Sequence, residues 1–185
     1  MLLAIFYFIN MKKYFFILLC LPFFVIAQNE KKTKENLFKI NILNPGFTYE
    51  KGLTNTTTLC LDTNLSFGFA AHNNKTTFLA SPFLRGQYRY YYNFEKRISK
   101  GKSISNNSGG FIAFSASYYL KPLGNDIYIS SYDGLTFGGV WGFQKTYKCG
   151  INLSANAGLG YNLSNQQSHK VLPILNFTVG WVIGK

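Results

Sequence analysis

The chain is short of charge, of proline and, past its first 27 residues, of any long apolar run. Charged residues make up 14% of its 185 residues, against roughly 25% in an ordinary soluble domain. That leaves too few charges to clothe a soluble exterior. Only 5 prolines are present, so little of the chain is barred from regular structure. After Ala27 no apolar stretch approaches the roughly 20 residues of a transmembrane helix, and a mature chain embedded in a membrane must cross it with strands. Acidic residues number 7 against 19 basic ones, a net charge of +12. The surplus suits anionic partners such as phospholipid and lipopolysaccharide headgroups. No helix is patterned to enter a groove, so no nucleic acid is expected. The 3 cysteines and 2 histidines have no metal-ligand spacing, and no glycine-rich phosphate loop occurs. No metal and no cofactor are therefore expected. What is abundant is aromatic, 18% of the residues, which excludes disorder.

The one long apolar run stands near the start. Lys12 and Lys13 precede Tyr14 to Ile26, broken only by Cys20 and Pro22, and Val25-Ile26-Ala27 leads into the polar Gln28-Asn29-Glu30. A basic region, an apolar region and small residues at the cleavage positions predict a signal peptide over 1–27, cut after Ala27. Met11 offers a second start. Leu19 before Cys20 argues against a lipoprotein. Residues 28–36 then read as a short polar segment and 37–185 as one domain.

In that domain the dominant period is two. Over Thr58 to Ala70, Leu59, Leu61, Leu65, Phe67 and Phe69 alternate with Thr58, Cys60, Asp62, Asn64, Ser66 and Gly68. No helix would segregate these sets. The pattern recurs over 78–92, 110–121, 134–144, 151–162 and 171–183. A first strand falls within 37–50, with a parity break at Asn44-Pro45-Gly46. That makes seven strands, and bacterial barrels use an even number. The eighth is either 37–43 as a separate piece or 127–131. The expected fold is all-β: a single antiparallel up-and-down barrel of eight strands.

Alternation alone does not say which face looks outward. The polar face is mostly Gly, Ser, Thr, Asn and Gln, which fit the narrow lumen of an eight-stranded barrel. Apolar residues are therefore expected to face lipid. The aromatics fall in two belts: Tyr49, Tyr90, Tyr92, Phe143 and Trp181 at one end, and Phe69, Tyr118 and Tyr161 at the other. Pro82 and Pro173 share the outward parity and remove ladder donors. Pro82 conflicts with a strand over 78–92.

Hairpin register carries the reading further. If Ala71 pairs with Thr76, Asp62 lies opposite Arg85 and Thr58 opposite Arg89. Glu50 projects near Thr58. Glu50, Asp62, Arg85 and Arg89 then form an ionic cluster inside the barrel, either a plug that fixes the lumen or a selectivity constriction. The plug is preferred, because eight strands barely leave room for side chains. With the C-terminus periplasmic, 71–75, 121–133 and 163–170 face outside, and 51–55, 94–109 and 145–148 face the periplasm. Lys96, Arg97, Lys100, Lys102, Lys145 and Lys148 are expected to snorkel to headgroup phosphates at the inner rim, with an acidic periplasmic partner as the alternative. His169 beside Ser164 and Ser168, with His72 in another outer loop, leaves open a surface deacylase, though no nucleophile motif supports it. Cys60 and Cys149 remain in an oxidising compartment after cleavage, far apart in sequence, so their pairing is open.

The stretch Asn44-Pro45-Gly46-Phe47-Thr48-Tyr49-Glu50 resembles small Gram-negative outer-membrane β-barrel proteins of largely uncharacterised function. So does Tyr92-Asn93 to Arg97 with Lys100-Gly101-Lys102 and Asn107-Ser108-Gly109. The resemblance spans most of the chain after Ala27 and brings no catalytic residues. It implies insertion by the barrel-assembly machinery, although such barrels usually end on an aromatic residue and this chain ends Trp181-Val182-Ile183-Gly184-Lys185. The expectation is a monomeric, non-enzymatic outer-membrane barrel with a structural, adhesive or loop-mediated binding role. A lipid-modifying enzyme, a narrow pore and a secreted soluble ligand-binding barrel are the alternatives.

Overall fold

The computed structural model of the protein describes residues 32–72, 75–120, 123, 134–163 and 170–183. Eight antiparallel strands follow one another and the last pairs with the first, closing an up-and-down barrel. They are β1 (Asn36–Asn41), β2 (Gly46–Gly52), β3 (Thr57–His72), β4 (Lys75–Tyr90), β5 (Gly109–Tyr119), β6 (Gly134–Thr146), β7 (Ile151–Asn162) and β8 (Val171–Ile183). The eighth strand is thus β1, and 127–131 lie outside the described residues. One short helix, α1 (Phe94–Ser99), and a 3-10 turn at Ser105–Asn107 stand between β4 and β5.

Burial alternates along the strands, and the buried parity is the polar one. In β1 it falls on Leu37, Lys39 and Asn41, while Phe38 and Ile40 are exposed. Thr58, Cys60, Asp62 and Asn64 on β3, and Arg85, Gln87 and Arg89 on β4, are likewise buried between exposed Leu59, Leu61, Leu84, Tyr88 and Tyr90. The interior is less uniformly small than the sequence suggests, since Phe83, Phe111 and Val140 also point inward. Small residues compensate directly across the wall. Phe111 pairs with Gly142, and a Cβ on Gly142 would stand 2.8 Å from the Phe111 ring and 2.5 Å from the Ala155 carbonyl oxygen. Gly142→Val is therefore expected to overpack the lumen at a cost of about 1–3 kcal/mol or more, read as a loss of the compact band in unheated gel electrophoresis; a wild-type mobility and melting midpoint would contradict the close fit.

The wall is not of even height. β1 meets β8 only from Phe38–Ile183 to Asn41–Gly180, and the chain turns over residues 42–45 into β2. Beyond that turn, among the described residues, β3 continues from Leu65 to His72 with β4 as its only strand partner, and β8 begins at Val171 with only β7 beside it. Roughly 25 Å of strand length therefore rises past the β1–β2 hairpin on either side. Both awkward prolines sit where a regular ladder ends. The Pro82 carbonyl accepts from Leu120 N, so its nitrogen faces β5 where that ladder stops at Phe83–Tyr119. Val179, on the same edge parity as Pro173, accepts from Ile42 N, so Pro173 faces the β1 side above the point where β1 ends. Each proline thus sits where a strand edge tolerates a missing donor.

Candidate functional site

The interior is built from residues that alternation turns inward and register sets opposite one another. Asp62 pairs with Arg85 and Thr58 with Arg89 across β3 and β4, and Glu50 pairs with Cys60 across β2 and β3. Glu50 is the hub, and its side chain is fully buried. Its Oε1 accepts from Thr58 Oγ1 at 2.8 Å, Tyr91 OH at 2.7 Å and Asn107 Nδ2 at 2.9 Å. Its Oε2 accepts from Lys39 Nζ and Gln144 Nε2, each at 3.2 Å, and lies 3.5 Å from Arg89 Nη1. A buried carboxylate needs this density of donors and cations to stay charged.

A second layer stands beside it. Arg85 Nε donates to Asp62 Oδ2 at 2.8 Å, and Thr48 Oγ1 donates to Asp62 Oδ1 at 2.5 Å. Asn41 Nδ2 links Thr48 Oγ1 at 2.8 Å to Asn64 Oδ1 at 3.0 Å. Arg89 is held by Gln87 Oε1 through Nε at 2.9 Å and Nη2 at 2.8 Å, and its guanidinium lies 4.6 Å from the centre of the Phe111 ring, a cation–π contact that compensates for lost water. Among the described residues, Asn64 Nδ2 and Arg85 Nη1 are the buried side-chain nitrogens without a partner. Both belong to the layer farther from Tyr91, where the β1–β2 hairpin stops.

One end of the barrel is closed by the chain between β4 and β5. Instead of looping away, residues 93–108 fold across the opening. Phe94 stacks on Tyr91 at 4.7 Å between ring centres, and Tyr91 meets Phe111 edge-on at 5.6 Å, forming an apolar cluster with Ala113 and Val140. Asn106 and Asn107 take left-handed backbone angles, φ 49° and 59°, which asparagine tolerates better than most residues. That twist turns Asn107 inward onto Glu50 and lets the Asn106 carbonyl accept from Gln144 Nε2 at 3.1 Å. The segment before β1 lies on the same end, with Lys34 N donating to Asn107 Oδ1 at 2.7 Å and Thr33 Oγ1 to the Thr54 carbonyl at 2.5 Å. Burial, reinforced by the neighbouring Glu50 carboxylate, pushes the Tyr91 phenol well above its ordinary range, so it remains a donor.

Glu50, Asp62, Arg85 and Arg89 therefore stand together in the interior. The sequence reading missed Lys39, Gln87, Tyr91, Asn107 and Gln144 as members. Lys39 was findable, since it alternates with Phe38 and Ile40; Asn107 was not, because only the fold of the 93–108 turn brings it to Glu50. Of the aromatic belts, Tyr90, Tyr92, Phe143 and Trp181 are exposed on the outer face toward the closed end, where Tyr49 is half-buried, and Tyr118 and Tyr161 are exposed toward the other. The Phe69 and His72 side chains, with Ser164, Ser168 and His169, lie outside the described residues. Cys60 is buried and Cys149 exposed, and both are free thiols. No known protein family, characterised protein or solved structure matches the chain.

Proposed function

We propose that the protein is an outer-membrane β-barrel of a Gram-negative envelope, with a lumen plugged by its own side chains and a structural, adhesive or loop-mediated binding role. The observation that carries this reading is the inversion of polarity across the wall. Phe114 is 58% exposed, Trp141 56% and Phe38 53%, whereas Glu50 is 0% and Arg89 2% exposed. An aqueous exterior penalises such rows of large apolar side chains; hydrocarbon rewards them, and a closed ring satisfies the backbone groups within itself. The apolar segment ending at Ala27 supports export, and the outward rings near both ends suit the two interfaces. The free edges of β3 and β8 beyond the β1–β2 hairpin belong above the hydrocarbon or against polar lining, because lipid does not accept unpaired backbone. In this reading 93–108 faces the periplasm and the hairpins at the other end present the surface that binds.

Membrane fractionation tests this directly. The mature protein is expected in the outer-membrane fraction, extractable only with detergent, and migrating faster on gels before boiling than after. Recovery of a folded monomer from the periplasm in plain buffer would refute the embedded barrel.

A further inference from the structure

The closed end carries a second feature that the interior network does not use. A cavity of about 390 Å³ lies between the 93–108 turn and the end of β6, lined by Arg97, Lys102, Ser103, Ser108, Lys145 and Thr146. Its cations come from two separate segments, the 93–108 turn and the end of β6, and no acid is among its lining residues. Among the described residues none of the three cations forms an ion pair, and Glu95, the acid in the same turn, is taken by Lys32. The hydroxyls are already engaged, as Ser108 Oγ donates to the Ser105 carbonyl at 2.6 Å and accepts from Thr146 N at 2.9 Å. The charges are the groups left to bind something. Arg97 is pre-positioned, its Nε and Nη2 donating to the Ser103 carbonyl at 3.2 and 2.8 Å, and Lys145 Nζ rests 4.6 Å from the centre of the Tyr147 ring.

We infer that this cavity is a phosphate-binding site whose ligand groups are Arg97, Lys102 and Lys145. Its chemistry is that of a phosphate mono- or diester: a compact anion rich in acceptor oxygens, suited to an arginine fork and two point charges. At about 30 Å³ per water, the space would hold about a dozen waters, more than the phosphate alone and enough for part of a lipid headgroup. Its height on the wall points the same way. Along the outer face of β6, Trp141, Phe143 and Lys145 follow in order, and Trp141 Nε1 donates to Tyr92 OH at 2.9 Å. Aromatic rings followed by a cation mark the passage from hydrocarbon edge to headgroup phosphate. The lipid source rests on the embedded reading above; the phosphate chemistry does not. Lys96, Lys100 and Lys148, equally basic and close by in sequence, do not line the cavity, which separates a site from a merely positive rim.

Native mass spectrometry of the detergent-solubilised protein, titrated with phosphatidylglycerol, distinguishes the two. The triple variant R97Q/K102Q/K145Q is expected to bind the lipid about a hundredfold more weakly than wild type, as removal of three phosphate contacts implies. The triple K96Q/K100Q/K148Q, with the same loss of charge, should stay within about twofold of wild type. Equal losses in both triples, or none in either, would overturn the site; unheated gel mobility confirms that each variant is folded. A parallel titration with inorganic phosphate identifies the source. Lipid retention that phosphate does not displace assigns the headgroup, whereas displacement through the same three residues assigns free phosphate. Should the protein prove not to enter membranes, the phosphate titration still reads the cavity in plain buffer, so the two proposals fail separately.

Discussion

Replacing Glu50 by alanine is expected to destabilise the barrel by about 3–5 kcal/mol, the usual consequence of removing one partner from a buried ionic cluster. The carboxylate takes three donors on Oε1 and faces Lys39, Arg89 and Gln144 on Oε2. Without it, Lys39 and Arg89, with side chains only 2–3% exposed, lose the carboxylate they share, and Asp62, already paired with Arg85, is the acid left nearby. Glu50→Gln should cost less, because the amide keeps the volume and part of the hydrogen bonding while losing the charge. Adding Lys39→Met to Glu50→Ala should restore part of the loss by removing one uncompensated cation. Urea unfolding of the refolded protein in detergent or lipid vesicles, followed by tryptophan fluorescence, measures all three. A Glu50→Ala midpoint within error of wild type would show that the hub is dispensable.

The second large expectation is silence. In planar bilayers the wild-type protein should give no steady single-channel steps, and Arg85→Ala should stay equally silent. An ion entering from the far end meets the Asp62–Arg85 layer, then Glu50 with Lys39, Arg89 and Gln144, then the rings of Tyr91, Phe94 and Phe111, with 93–108 folded across the exit. Eight strands enclose little more than their own side chains, and removing Arg85 opens only the first of these layers. Steady steps from the wild type whose conductance changes on Arg85→Ala would identify the cluster as a constriction and end the plug reading.

Alternation along 58–70 or 151–162 is written residue by residue, because side chains in a strand change face with every step. Register between β3 and β4 is nearly as local, since their short hairpin leaves little freedom once Ala71 and Thr76 pair. From these two facts the opposition of Asp62 and Arg85 is legible without coordinates. The closing strand is ambiguous in sequence because its six residues alternate but do not say whether they stand apart from the strand after Asn44-Pro45-Gly46, and pairing to β8 identifies it.

The inward fold of 93–108 lies beyond any such reading. A turn carrying Lys96, Arg97, Lys100 and Lys102 looks like a solvated loop in sequence, and its direction depends on Phe94 finding Tyr91 and Phe111 inside the wall. The selection of Arg97, Lys102 and Lys145 from six basic residues has the same origin, since residues 97 and 145 meet only because the 93–108 turn folds beside the end of β6, where Gly109 pairs with Gln144. The amino-acid order alone settled strand period, polarity of the two faces and the β3–β4 register, because each is decided among residues that are neighbours in sequence or across one tight turn. Closure by β1, the plugged end, the Glu50 hub and the basic cavity were decided by tertiary structure, because each joins residues that meet only once the sheet has closed or the 93–108 turn has folded inward.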